Sequence, residues 1–322
     1  MSAEPGTVRR LLADLLADGR PCPEAVLSRL LAPDDEVSFP DAATVLEHTT
    51  GVLPLLDLFD PTDHPLPDAV RRGASPCALA LFTPGMELSP RVPSVRARSV
   101  GDRVVLDGRH RYGNAAVEAV LVQVGFGDGL RLCLVSHDHP AVSVGGGGAG
   151  EGWGWAESAE AVIDSRLVSP PVTWDAGSPV VAALDAYTWS YVTLAVAHAA
   201  SVVAGLRRVL AVPSGDTAPL SGSQFLAHEL SRLDIELSLL AELARLGPRL
   251  RGPDRGGTSA AAALAACTRL TQRTARIAAD FAAELGLARP DVWPAAAHAH
   301  FGGRRMAEAE LARRMGLLEG RR

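Results

Sequence analysis

At 322 residues, 47% of them hydrophobic and 21% charged, the chain is long enough to bury a sizeable core and to divide into two or three packed units. Its net charge of −6, with no run of Lys or Arg interleaved with aromatics, excludes the basic footprint of a nucleic-acid-binding protein. The four cysteines (Cys22, Cys77, Cys133, Cys267) are scattered, with no CxxC pair and no secretory leader, which predicts reduced thiols, no zinc ribbon or disulfide framework, and a cytoplasmic location.

The first seventy or so residues read as short helices separated by Pro and Gly: "VRRLLADLLADG", "PEAVLSRLL" and "DAATVLEHTTGVLPLLDLF". Asp41 is the expected N-cap of the third. From Pro76 to about Pro179 the pattern turns to short β-branched or alternating runs, "CALALF", "VRARSV", "DRVVLDG", "AVLVQVG", "LRLCLVS" and "SRLVSPPVTW", which predict an antiparallel β domain. From Val180 the period is helical again in three long stretches, followed by a last short helix after Gly303. Their many alanines allow close helix packing. The expected division is therefore 1–75 helical, 76–179 β and 180–322 a long-helix bundle, an α+β architecture. The Ala-rich "SAAAALAAC" and its neighbours, taken as the longest apolar stretch, fall far short of the ~20 residues of a membrane span, so no membrane is expected.

Several runs invite functional readings. "GGGGAGEGWGW" lacks the Lys-Ser/Thr of a phosphate-binding loop and reads as a hairpin loop whose tryptophans cover a neighbouring surface. The HxH pairs His137/His139 and His298/His300 lack a third and fourth ligand, so they read as turn residues and no metal is expected. His198, in an apolar helix, reads as a buried core residue whose basicity desolvation would tune. No nucleophile elbow, Cys/His pairing or HExxH motif supports a hydrolase.

Longer segments carry a family likeness over roughly residues 52–314. "VLPLLDLFDPTDHPLPDAVRRGASPCALALFTPG", "VRARSVGDRVVLDGRHRYGNAAVEAVLVQV" (with Gly108, Asn114 and Ala115), "PLSGSQFLAHELSRLDIELSLL" and "HFGGRRMAEAELARRM" follow one another as do segments of the acyl-CoA dehydrogenase superfamily, which the chain resembles. The resemblance implies a fold with an abbreviated N-terminal helical domain, a middle β domain and a C-terminal four-helix-type bundle. It also implies FAD, contacted by Thr83, Asn114, Gln224, Gly302 and Gly303, the glycine pair admitting the flavin pyrophosphate across a dimer contact. Homo- or hetero-oligomers are implied with it, and an acyl-CoA or carrier-protein thioester as substrate.

The sequence departs from that pattern where chemistry is done. Where the family carries Thr-Glu-Pro followed by Gly-Ser-Asp, "TPGMELSP" keeps Thr83 and Pro84 but has neither the acid between them nor the Gly-Ser-Asp. "RHRYGN" is one residue shorter than the run that lies against the flavin rings. "LAVPSGD" replaces the Arg-x-x-Phe-Gly loop, leaving Arg207 and Arg208 too early, and Ala299 stands for the Gln before the glycine pair. At the family's two sites for the catalytic Glu, "LDAYTWSYV" offers only Asp185, and Glu319-Gly320 lies too close to the glycine pair. Three readings follow. One is a degenerate subunit of a heteromeric FAD-dependent dehydrogenase that desaturates acyl thioesters beside an intact partner subunit. The second is a flavin-independent cyclase, lyase or isomerase of polyketide-type or other specialised metabolism. Its site would be an exposed cavity between β domain and bundle bearing His110, Tyr112, Tyr187, Tyr191 and His198. The third is a non-catalytic binding protein.

Overall fold

The computed structural model describes residues 5–32, 37–60, 63–81, 93–113, 117–146, 153–175, 177–211, 224–247 and 256–284. Helices α1 (Pro5–Leu16), α2 (Pro23–Leu30) and α3 (Phe39–Leu46) bury the apolar side of their 3.6-residue period, Val8, Leu11 and Leu12 on α1 and Val26 and Leu30 on α2. The N-cap of α3 is Ser38 rather than the expected Asp41. Its Oγ accepts from the Asp41 amide at 3.3 Å and donates to the Asp41 carboxylate at 2.6 Å, and Asp41 places its charge in the first turn, where the helix dipole favours it.

The helix does not stop at Leu46. It widens into a π-helical turn, Glu47–Val52, and resumes as α4 (Leu53–Leu56). Pro54 has no N–H to return to the Thr50 carbonyl, and the hydroxyls of Thr49 and Thr50 donate to the Val45 and Leu46 carbonyls at 2.8 and 2.7 Å, which supports the wider turn. All six residues of the turn are buried. A short α5 (Pro65–Arg71), which the sequence reading did not include, is capped by the His64 ring accepting from the Leu66 amide.

Among the described residues seven strands follow: β1 (Cys77–Ala80), β2 (Val95–Val100), β3 (Arg103–Gly113), β4 (Ala119–Phe126), β5 (Gly129–Ser136), β6 (Val142–Gly146) and β7 (Trp153–Asp164). β4 is central. β5 pairs antiparallel along its length, while β1 and β2 pair parallel with successive halves of it, and the sheet continues through β3 and β7 to β6. The two parallel pairings differ from the antiparallel sheet expected; the long connections that lead from β1 and from β2 to β4 permit them. "SRLVSPPVTW" is not a strand either. It is a 3-10 turn (Ser165–Leu167) followed by two isolated bridges, because Pro170 and Pro171 supply no amide to a ladder. The two ends of the glycine-rich run pair antiparallel, Gly145 opposite Trp155 and Gly146 opposite Gly154, residues 147–152 between them lying outside the described residues, and the Arg109 guanidinium lies 4.1 Å over the Trp155 ring.

Helix α6 (Pro179–Leu210) carries a longer apolar run than "SAAAALAAC", a correction to the sequence reading. It is long and apolar enough to cross a membrane, yet half of that window is buried, and α6 packs against α2, α3, the π turn, α7 (Gln224–Leu246) and α8 (Gly256–Glu284). Arg207 pairs with Asp234 between α6 and α7. Arg273 on α8 holds Glu229 at 2.8 Å and Glu236 at 2.7 Å on α7. The helix expected after Gly303 lies outside the described residues.

Candidate functional site

Two clusters of buried polar groups stand out, one within the sheet and one between the π turn and β1. The first is on the inner face of β3. A bulge between Leu106 and Gly108 shifts the pairing with β7, and Gly108 is required there: its φ is +135°, and a Cβ would lie 2.3 Å from the Ser94 carbonyl oxygen. Beyond the bulge Arg109 and Arg111 point to solvent, while His110 and Tyr112 are 1% and 2% exposed. Their rings are 6.4 Å apart, and the His137 ring lies 5.1 Å from that of Tyr112, which itself rests on Gly154, where a Cβ would come within 2.6 Å.

His137 sits in the turn after β5, as expected of "SHDHP", and its ring bonds the Val117 carbonyl. That leaves its Nε2 buried without a hydrogen-bond partner, as are both ring nitrogens of His110 and the Ser158 Oγ of β7. Burial, then the neighbouring His137, lowers His110 to about 3; burial also lowers His137 and pushes Tyr112 up to about 12. All three side chains are neutral at pH 7.

The second cluster joins the π turn to β1. The Leu79 amide donates to Glu47 Oε1 at 3.0 Å, and the Cys77 amide to His48 Nδ1 at 3.1 Å. His48 Nε2–H donates to the Val70 carbonyl at 3.0 Å, which fixes the tautomer. Burial lowers His48 to about 4, and burial followed by the charge of Glu47 raises Cys77, Tyr187 and, with Cys267 also acting, Tyr191. On α6, Tyr187 and Tyr191 meet edge-on at 6.2 Å, and Phe39 touches both Tyr191 (6.2 Å) and His198 (5.0 Å). The sequence reading passed over Glu47 and His48. The signal was present as "EHTT", two ionisable and two hydroxyl residues inside an otherwise apolar helical run.

The five residues expected to share an exposed cavity thus fall on two elements, His110 and Tyr112 on β3 and Tyr187, Tyr191 and His198 on α6. The first four are at most 2% exposed and His198 is half-buried, so they do not line an open cavity wall. A cavity of about 520 Å³ lies instead between α6 and α7, floored by Val196, Ala200, Val203, Leu237 and Ala241, with Arg207 at its rim. Among the cofactor candidates, Thr83, Asn114, Gly302 and Gly303 lie outside the described residues, as do His298, His300 and Glu319, while Gln224 opens α7. His139 is used structurally, bonding the Val162 carbonyl and the Ala141 amide. Among the described residues no three His, Cys, Asp or Glu side chains are grouped to hold a metal.

No protein-family model and no curated protein matches the sequence. Solved structures do match. FkbI, for biosynthesis of the methoxymalonyl extender unit of the FK520 polyketide, aligns at 15% identity with a TM-score of 0.74 over 99% of this chain and 94% of its own. Glutaryl-CoA dehydrogenase from Mycobacterium smegmatis aligns at 15% and 0.68, over 100% of this chain and 97% of its own. The Tcur3481–Tcur3483 steroid ACAD variant G363A aligns at 17% and 0.71, over 97% and 89%. The chain has the acyl-CoA dehydrogenase fold.

Proposed function

We propose that the chain is a degenerate subunit of a heteromeric, FAD-dependent dehydrogenase acting on acyl thioesters, completing a flavin site whose ring-binding face belongs to an intact partner subunit. The observation that carries this reading is the filled inner face of β3 within an otherwise retained scaffold. By resemblance, "RHRYGN" should lie against the flavin rings. Here Tyr112 is 2% exposed, seated on Gly154 and beside His137, so these residues do not fit a three-ring system and no step of chemistry is derived through it.

Among the described residues the proton-abstracting half is equally poorly served. Desaturation of a thioester needs a carboxylate beside the α-carbon. The buried stretch of α6 is Tyr187, Thr188, Trp189, Ser190 and Tyr191, and Glu47 is engaged with the Leu79 amide. A scaffold kept in shape without its reactive groups is what a supporting subunit requires. The likeness to a steroid ACAD whose name joins Tcur3481 to Tcur3483 supports a two-chain assembly. In it, Gly302 and Gly303 would lean on the partner's nucleotide and Gln224 would sit at the subunit seam.

The deciding experiment is the visible absorbance spectrum of the purified chain, alone and after incubation with excess FAD and desalting, repeated with a co-expressed intact acyl-CoA dehydrogenase. A colourless chain that forms a flavin-containing complex is expected. Stoichiometric flavin on the chain alone overturns the reading. A colourless chain that recruits no dehydrogenase favours a flavin-independent enzyme, a reading to which the likeness to FkbI of polyketide biosynthesis lends support.

A further inference from the structure

Helices α6 and α7 pack against each other yet leave a groove of about 520 Å³ between them. It is held open from both ends. At one end Arg207 pairs with Asp234 across the two helices; at the other Gly247 lies on the Trp189 ring, where a Cβ would come within 2.3 Å. The helices therefore run antiparallel, and between these fixed points the lining is small and apolar, with Ala197, Ala200 and Ala204 on α6 and Ala241 on α7. Facing alanines let helices close up, but here the end contacts hold the spacing and the gap stays. Packed interiors hold few voids larger than a water molecule, so a gap of this size with apolar walls is a site for a guest.

The dimensions select the guest. From Thr193 to Arg207 the groove follows α6 for about 20 Å at the helical rise, so its mean cross-section is roughly 26 Å², about 5 Å in width. An α-helix with its side chains is about 10–12 Å across and does not enter. An extended peptide would bring amides and carbonyls that alanine and valine walls cannot satisfy. A single unbranched aliphatic chain, whose carbons pack at about 4 Å, fits in width and in chemistry. The charges at the two ends then set its direction. Arg207 is already neutralised by Asp234, whereas Arg245, at the Trp189 end, bonds Glu242 one turn back on its own helix at 2.7 Å, an exposed pair of little weight that an incoming anion can replace.

We infer that the groove binds an unbranched aliphatic chain ending in a carboxylate, with its head at Arg245 and its tail toward the Arg207–Asp234 pair. The inference does not rest on the subunit reading above: at the helical period the groove lies on the side of α6 opposite Tyr187, Tyr191 and His198.

The test is isothermal titration calorimetry of the full chain at pH 7 with decanoate, kept below the concentration at which it forms micelles, and in parallel with butanoate, decanol and decyltrimethylammonium. One decanoate per chain is expected to bind saturably, butanoate at least about a hundredfold more weakly for want of buried methylenes, and the cation not at all. Arg245→Gln should weaken decanoate by about tenfold and leave decanol unchanged, the separation that a charged head at this end requires. Ala200→Leu, which fills the groove from α6, should abolish binding of both while circular dichroism shows the chain still helical. Should that variant fail to fold, the wild-type and Arg245→Gln titrations decide the matter alone. No saturable binding of decanoate, whether because a second copy or the chain's own residues 303–322 take the groove or because it stays empty, overturns the inference. Binding that survives Ala200→Leu in a folded chain, or that ignores both Arg245→Gln and the sign of the head group, also overturns it.

Discussion

His48 and His110 are both buried to 1% exposure or less, and both are held neutral by that burial. At the junction of the π turn and β1, every hydrogen-bonding atom of the His48 ring has a backbone partner, and neighbouring Glu47 serves the next available amide of the same strand. On the inner face of β3, neither nitrogen of His110 has one. Burial and residue type are alike at the two positions, so what separates them is how far the backbone satisfies each ring.

The contrast is most easily broken at His48. Replacing it with Leu removes two partners at once, leaving the Cys77 amide and the Val70 carbonyl buried and unpaired, and should cost about 4 kcal/mol of stability at roughly 1–3 kcal/mol per orphaned group. Urea unfolding at pH 7 measures it; a loss below about 1 kcal/mol would mean that the junction relaxes around the change.

Acid should act next most strongly. His48 titrates at about 4 in the fold against 6.5 in the open chain, so between those values the unfolded state binds more protons and stability falls as pH falls. At about 1.4 kcal/mol per unit, His48 accounts for about 3 kcal/mol lost between pH 7 and pH 4. The slope of unfolding free energy against pH should be shallower in His48→Leu. His110, lowered in the same direction, should steepen it in the wild type.

The smallest effect sharpens the comparison by its sign. His110→Phe removes two unpaired nitrogens and keeps the ring, so at pH 7 its stability should lie within about 1 kcal/mol of the wild type or above it. Its acid slope should nevertheless be reduced, as in His48→Leu. A loss as large as that of the His48 variant would show that His110 is held by the fold after all.

Much of this architecture was legible in the sequence. Alternation placed β2 to β5, helical period placed α1, α2, α6, α7 and α8, and ordered local likenesses gave the fold class. β7 escaped because "WGWAESAEAVID" is rich in Gly, Ala and Glu, which are poor strand formers. The π turn escaped because six residues cannot distinguish one helical period from another. Asp41 was misread as a cap because Ser38, three residues earlier, does the same chemistry with the better geometry. At the site, the resemblance drew attention to His110 and Tyr112. Glu47, His48 and Ser158 stayed hidden because what defines them is their relation to backbone amides, or to missing partners, on elements distant in the chain.

Among the described residues β1 has one neighbour in the sheet, β4, and on its other edge the Cys77 and Leu79 amides are taken by side chains. Glu47 and His48 precede the amides they cover by 32 and 29 residues, so during synthesis the cover leaves the ribosome ahead of the strand that needs it. An exposed strand edge is an invitation to pair with another chain, and the interval before β4 emerges is when that hazard is greatest. Glu47 and His48 thus occupy the amides of β1 that would otherwise template another strand, and a variant lacking both side chains should self-associate more readily than the wild type.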